Sequence, residues 1–490
     1  MTEELPHGWA EAQLNEVVQS ALGGDWGIDA GEKTAGFEMV KVIRGTDFRS
    51  WSRDKGTNAA VRLIKASSLE KRRLMKGDIV LEVSGGGPDQ PVGRTVLIDT
   101  EVLTRATVPL VCSNFFRLLR LVPEIDPAFI NFQLALEYHR GSFNEHQTQT
   151  TNLRNLNVPD FLNRTMLRIA PLKEQQLIVG KLQVLLANVE GCQRRLVTIQ
   201  KTVKRFRHSV LAAACSGRLT ADWRVQHECA TAPGEAESAS DDLPFGWKSS
   251  SIGEIIEDLK YGTSQKCGYE KHGVPVLRIP NVANGVIDHS DLKYAELTVK
   301  EQKQLYLLPG DILIVRSNGS VSLVGKSALV GERERGFSYA GYLIRIRPNQ
   351  SLVSPEFLYL TLNSYDIRLQ IELEARSTSG VNNINSEEVR ALQLALPPLD
   401  EQVEIVKRVH NLFLLADKIE ARYQSILKQV DRLPQSILAK AFRGELVLTE
   451  AEVSEREGGS FESAEHLLER IRMSFDKVST RAIKKHKKQN

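Results

Sequence analysis

Four basic residues gather around two aromatics in the stretch IRGTDFRSWSRDKGTN (residues 43–58), where Arg44, Arg49, Arg53 and Lys55 surround Phe48 and Trp51. A second stretch, SQKCGYEKHGVPVLRIPNV (residues 264–282), sets Lys266, Lys271, Arg278 and Asn281 around Tyr269. Cations interleaved with rings and amides suit a loop that lies on phosphates while offering donors to base edges. Solvated surface charge is the competing reading. Two further loops, HQTQTTNLRN and RSTSGVNNIN, are dense in amides and hydroxyls, with Gln147, Thr148 and Gln149 in the first and Ser377, Asn382 and Asn383 in the second. Such groups touch phosphates and bases, but they also cap turns, and both readings stay open. Arg316 and Asn318, in GDILIVRSNG, complete the candidate DNA-contacting set.

Motifs for catalysis are missing. There is no G-x-G-x-x-G after a strand, no phosphate-binding G-x-x-x-x-G-K-[ST], no H-E-x-x-H and no G-x-S-x-G. The Asn/Asp-Pro-Pro-aromatic tetrapeptide with which amino-methylating enzymes hold their target nitrogen is also absent. SGGGPDQPVG (residues 84–93) reads as a turn between strands, with a phosphate-cradling loop as the alternative. Cys112, Cys192, Cys215, Cys229 and Cys267 are too scattered for a zinc site or a disulfide framework, so no metal is expected. A net charge of +3 neither demands nor excludes nucleic acid, so the distribution of charge must decide. No basic leader and no long apolar run occur, which predicts a cytoplasmic chain without a membrane partner.

The candidate residues sit in a duplicated frame. LPHGW at residues 5–9 returns as LPFGW at 243–247, GDIVLEVSGG as GDILIVRSNG, VGR as VGK, DPAFI as SPEFL, PLKEQ as PLDEQ, and SVLAAACSGRL as SILAKAFRGEL. The offset shrinks from 238 through 233, 232 and 228 to 227, then holds at 227 from PLKEQ onward. Early length changes mark loops and late constancy marks a continuous helix. The basic loops occupy corresponding places in the two copies, which favours the DNA reading over stray surface charge.

After PLKEQ the apolar positions step by four and three: Ile178, Leu182, Leu185, Val189, Cys192, Leu196, Ile199, Val203, Phe206, Val210. Adding 227 gives Ile405, Val409, Leu412, Ala416, Ile419, Tyr423, Ile426, Val430, Leu433 and Ile437, apolar throughout. That is the seam of a coiled coil, and connectivity makes the two helices antiparallel. Residues 178–210 would span roughly 48 Å at about 1.5 Å per residue. Pro434 is expected to bend or end the second helix. Arg194, Arg195, Lys201, Lys204, Arg205 and Arg207 form a basic stretch that also reads as a solvated helix face.

The fold expected is α+β: two small α/β target recognition domains in a tandem pseudo-repeat, separated by an antiparallel pair of long coiled-coil helices. The divisions are residues 1–165, a helical region and Ala/Ser/acidic linker at 166–238, residues 239–394, a second helical region at 395–450, and a basic tail at 451–490. Within that tail RAIKKHKKQN reads as a disordered end.

Two variable segments, each containing GDI(V/L) and each ending in PLxEQ and a long helix, closely resemble the specificity subunit of a type I DNA restriction-modification system. The resemblance covers about residues 5–450. It implies a subunit without its own catalytic centre or cofactor, which reads a bipartite double-stranded DNA target with its two domains. It further implies that the helices bind two methyltransferase subunits, which use S-adenosylmethionine on adenine N6. Restriction subunits that use ATP and Mg join through them. The helix pair would fix the gap between half-sites at between one turn and one and a half turns of DNA, at roughly 34 Å per turn. A stand-alone DNA-binding protein or scaffold with purely structural helices is the alternative.

Overall fold

The apolar runs DIVLEV and DILIVR become central strands, Ile79–Glu82 and Ile312–Val315, with all four residues of each buried. A computed structural model describes residues 4–31, 35–86, 90–150, 153–228, 243–374 and 382–486, without the side chains of 149–150 and 476–486. The chain forms two compact units, Met1–Arg194 with Leu427–Asn490, and Arg195–Ile426. In the first unit an antiparallel sheet runs in the order Val18–Gly23, Phe116–Leu121, Ile79–Glu82, Thr95–Leu97. In the second the order Ile256–Tyr261, Leu343–Pro348, Ile312–Val315, Ser327–Leu329 repeats that topology with the strands that correspond in sequence.

A second sheet in each unit contains one parallel pair, Phe37–Ile43 beside Leu110–Cys112 and Val274–Leu277 beside Ser338–Tyr339. The early length changes between the copies fall largely in this region. The first unit's sheet has four strands and the second unit's has three.

The recurring motifs are joints. In LPxGW, the Trp9 N–H donates to Pro6 O and the Trp247 N–H to Pro244 O, each at 3.0 Å. Gly8 and Gly246 take φ of +90° and +77° in these turns, which any side chain would strain. In GDI, Gly77 and Gly310 have φ of +92° and +91° and turn the chain so that the next carboxylate points back. Asp78 accepts the Met75 N–H at 2.6 Å and both Nε and Nη2 of Arg120 at 2.8 Å. Asp311 repeats this with the Leu308 N–H at 2.8 Å and Arg347 at 2.7 Å twice. Both carboxylates are buried, and the fork-on-carboxylate geometry offsets their loss of water.

Two long helices follow, Leu172–Cys215 and Leu399–Ala441. Within the first unit Ile178 and Leu182 share a core with Leu438 and Ala441, and Gln193 donates to Asp431 at 3.1 Å. Within the second, Val210 and Ala214 share a core with Ile405 and Val409, and Arg207 donates to Asp417 at 2.5 Å. In each unit rising numbers on one helix meet falling numbers on the other, so the helices are antiparallel.

The Glu-Gln of PLxEQ explains why the helices start where they do. Gln175 accepts the Asp126 N–H at 3.0 Å and donates to Ala170 O at 2.8 Å. Gln402 accepts the Ser354 N–H at 2.7 Å and donates to Leu352 O and Pro397 O. Beside them, Glu174 accepts the Trp9 indole N–H at 2.8 Å and the Glu450 N–H at 3.0 Å. Glu401 accepts the Trp247 indole N–H at 2.9 Å, the Thr220 hydroxyl at 2.7 Å and the Arg224 guanidinium. All four side chains are buried in the first turn of their helices, where a carboxylate is favoured by the helix dipole.

Three expectations need correction. Pro434 does not end the second helix, which continues to Ala441 because Leu438, Ala441 and Phe442 are anchored in the first domain's core. Of RAIKKHKKQN, residues 481–486 belong to the helix Ala464–His486 rather than to a disordered end, and residues 487–490 lie outside the described residues. Earlier in that helix Ala464, Leu467, Leu468 and Ile471 bury themselves in that same core. Its N-terminal residue donates to Gly8 O at 2.8 Å, and Arg472 pairs with Glu16. Beyond the ends held in the two cores, where Ile178 and Ile405 are buried, the seam is closed on one row only. Leu182, Val189, Leu196, Val409, Ala416, Tyr423 and Val430 are buried and Val203 is half-buried, whereas Leu185 and Leu412 are half-buried and Ile199, Ile419 and Ile426 are exposed. The second row, which a regular two-stranded coiled coil would also bury, is therefore left open along the middle of this pair.

Removing the buried carboxylates tests the joints. Glu401→Ala strands the Arg224 guanidinium and should cost about 3–5 kcal/mol, whereas Glu174→Ala strands two N–H groups and should cost about 1–3 kcal/mol each. Urea unfolding measures both, and a loss below about 0.5 kcal/mol in either would contradict the role. Burial lifts the Glu174 carboxyl above the ordinary glutamate value. Between those two values the folded chain keeps a proton the unfolded chain has lost, so stability falls as pH rises through that window. Glu174→Ala should flatten that slope.

Candidate nucleic-acid interface

Each domain presents a wall built at the joint between its sheets. In the first, the strand Phe37–Ile43 ends at Arg44, whose N–H donates to Asp47 Oδ2 at 2.8 Å to start a one-turn helix. The Arg44 guanidinium closes on the same carboxylate and on Asn58 O. In the second, the Arg278 N–H donates to Asn281 Oδ1 at 2.9 Å, while the Arg278 guanidinium holds Asp291 at 2.6 Å and Asn281 donates to Asp288 O and Asp291 O. Arg44 with Asp47 and Arg278 with Asn281 are thus the same device in the two copies. Their first task is to shape the loop.

The other predicted contacts divide in the same way. Lys55 is a helix C-cap with φ of +47° and faces Asp99 and Glu101 at 3.7 and 3.8 Å. Trp51 packs on Phe48, with ring centroids 5.9 Å apart, against the core. Arg53 reaches into solvent but is bonded to Asp54, which holds that carboxyl well below the usual range. Gln147 is tied to backbone at both ends, donating to Val92 O and Phe143 O and accepting the Val92 N–H. Thr148 is exposed opposite Asn155 on the hairpin formed by Gln147–Thr150 and Leu153–Leu156. The Gln149 side chain and Ser377 lie outside the described residues.

Arg49 is different: it is exposed, and it lines a cavity of about 500 Å³ together with Arg44, Arg94, Ser84, Gln90, Asn114 and Phe115. Arg94 spans Glu82 at 2.6 and 2.7 Å and lies over the Phe48 ring at 5.5 Å. Ser84, Gly85 and Gln90 of the loop contribute to this wall, and Ser84–Gly86 is a strand beside Leu153–Leu156.

In the second domain the structure brings four predicted residues together. Ser317 and Asn318 pair with Asn383 and Asn382. Arg316 donates to Asn383 Oδ1 at 3.2 Å and stacks over Tyr261 at 4.6 Å, and Asn382 donates to Gly319 O at 3.2 Å. Asn318 accepts the Ser320 N–H at 2.9 Å. Lys266, Tyr269 and Lys271 are exposed on a separate loop, where Lys293 lies 4.6 Å from the centre of the Tyr269 ring.

One difference between the copies escaped the residue-by-residue reading although the VGR/VGK repeat carried its signal. At the position of Arg94 the second domain has Lys326, and where Glu82 would neutralise it stands Val315. Burial, with Arg368 and Lys204 nearby, holds the Lys326 ammonium below the ordinary lysine value. A half-buried ammonium among cations favours an anionic ligand. The walls offer donors, rings and amides. Away from the walls, burial pushes the Cys112 thiol up to about 12 and the Cys215 thiol up to about 11, which makes both inert. Among the described residues no group of three His, Cys, Asp or Glu side chains could hold a metal ion, and no helix is long and apolar enough to cross a membrane.

Comparison with known proteins agrees with this arrangement. A family model described as the type I restriction modification DNA specificity domain matches residues 244–429. The type I restriction enzyme StySPI specificity subunit of Salmonella potsdam is 30% identical over 445 residues, covering 90% of each chain. Among solved structures, the HsdS subunit from Thermoanaerobacter tengcongensis superposes with a TM-score of 0.55 at 21% identity, covering 91% of this chain and 100% of that one. A chain from a study of complex assembly and conformational transition of the type I R-M system gives a TM-score of 0.63 at 19% identity, covering 90% and 99%. At those identities the structural likeness speaks for the fold.

Arg49→Ala and Lys271→Ala should each weaken binding to duplex DNA and lower the slope of log affinity against log salt by about 0.9 if each neutralises one phosphate. Arg278→Ala should lower the thermal midpoint instead. A titration across salt concentrations checks this, and unchanged affinity and slope in both of the first two variants would contradict the assignment.

Proposed function

The chain belongs to the family of type I restriction-modification specificity subunits, and from that premise we propose how its parts divide the work. It is the DNA-recognising, non-catalytic member of such a system. Each domain reads one half of a bipartite double-stranded target, the first through the wall around Arg49 and the second through the Arg316, Asn318, Asn382 and Asn383 group. The helix pair sets the gap between the halves and anchors two adenine-N6 methyltransferase subunits, through which restriction subunits join in the cytoplasm. S-adenosylmethionine belongs to the methyltransferase partner, and ATP with Mg to the restriction partner.

The observation that carries this reading is the repetition of one joint. The same tryptophan, glutamate and glutamine tie each domain to the start of its long helix. Two like domains on like mounts suit two half-sites and two copies of one partner. The open apolar row along the helices supports the anchoring role. In the second unit Ile199, Phe206, Leu415 and Ile419 line a groove of about 460 Å³ that a docked subunit would cover.

Lengthening both helices tests the spacer. Gln200 lies halfway between Gln193 and Arg207 in sequence, and Gln424 halfway between Asp417 and Asp431. One heptad inserted after each adds roughly 10 Å of rise, or about three base pairs at roughly 3.4 Å each. Selection from random duplex by the chain with its methyltransferase should return the same two halves with a longer gap. An altered half-site, or an unaltered gap, would contradict the proposal.

A further inference from the structure

Two tight turns occupy the same place in the two domains. In the turn of residues 113–116 the Phe116 N–H donates to Ser113 O, and in the turn of residues 340–343 the Leu343 N–H donates to Ala340 O, each at 2.9 Å. The last residue of each turn, Phe116 and Leu343, is buried at the start of a central strand. The residue before it is aromatic and faces water, Phe115 at 51% exposure and Tyr342 at 65%. Their separation is 227, the offset of the helical repeat.

The backbone beneath each ring is fastened. The Val83 and Ser84 N–H groups donate to Phe115 O at 2.9 and 3.2 Å, and the Arg316 N–H donates to Tyr342 O at 3.0 Å. The carbonyls of Val83 and Arg316 in turn accept the N–H groups of Leu156 and Ile384, each at 2.8 Å, which fastens the polar loops to the same point. Phe115 stands in the cavity wall with Arg44, Arg49 and Arg94. Tyr342 lies across a backbone hydrogen bond from Arg316, whose guanidinium stacks on Tyr261.

An aromatic ring left largely in water on a fixed backbone gains little for folding, since it stays out of the core. The same exposure at the same turn in two diverged copies points to a ligand. An uncharged ring does not suit phosphate, and the guanidiniums beside it already supply that chemistry. A flat apolar surface suits thymine methyls, base edges or an opened base step, all sources of sequence preference. We infer that Phe115 and Tyr342 are specificity-determining contacts, each ring packing on bases of one DNA half-site. The inference rests on the bipartite reading proposed above.

The test is selection from random duplex DNA by the full chain with its methyltransferase, wild type beside Phe115→Ala and Tyr342→Ala. Phe115→Ala should lose about tenfold or more of its discrimination at positions in one half only, and Tyr342→Ala likewise in the other half only. Tyr342→Phe should keep the wild-type preference, because the ring and not the hydroxyl makes the contact. Unchanged thermal midpoints would show that the alanine variants remain folded, as their exposure predicts. Preferences unchanged in either alanine variant, or the same half changed in both, would overturn the inference alone. A wild-type chain that selects no bipartite site would overturn the reading beneath it.

Discussion

A buried carboxylate at the first turn of each long helix is the constraint on which the architecture depends. Glu174 and Glu401 each sit in a core and each take the indole N–H of the tryptophan that opens their own domain. Each also takes the chain that follows the other helix, Glu450 N–H in one case and Thr220 with Arg224 in the other. A carboxylate without these donors would be expensive to bury. The donors come together only when a domain's first residues, the start of one helix and the residues beyond the end of the other occupy one place. Antiparallel helices and a tandem repeat are therefore two aspects of the same requirement.

What the copies share and what they do not then fall into separate classes. Asp78 with Arg120 and Asp311 with Arg347 are corresponding ion pairs that fix the sheets. Glu82 with Arg94 has no such twin, because Val315 replaces the acid and leaves Lys326 among cations. The first domain adds a strand to its second sheet where the other domain does not. Shared positions hold the frame, while the copies diverge at wall positions such as Arg94 and Lys326.

The frame was legible because its signals repeat. PLxEQ, GDI and LPxGW recur with steadily changing offsets, and each proves to be a joint with a helix-start carboxylate, an inward aspartate or a positive-φ glycine. The candidate walls were only half legible. Charge and residue type picked out Arg44, Arg278, Asn281 and Gln147, but their partners are Asp47, Asp291, Asp288 O and Val92, and no local pattern reveals that these groups are already engaged. Residue type also picked out Arg49, Arg316 and Asn383, and it is tertiary pairing that brings Arg316 and Asn383 together. The tail helix was missed because its apolar face has no counterpart in the first copy. Pro434 misled because core anchoring beyond it outweighs the single backbone bond it removes.

The most direct measurement is a genome-wide map of N6-methyladenine in a host without other adenine methylases, carrying the cognate methyltransferase with or without this chain. A two-part motif with a fixed gap, methylated only when the chain is present, is the predicted result. Methylation that is the same without the chain, or that follows a single continuous motif, would contradict the account.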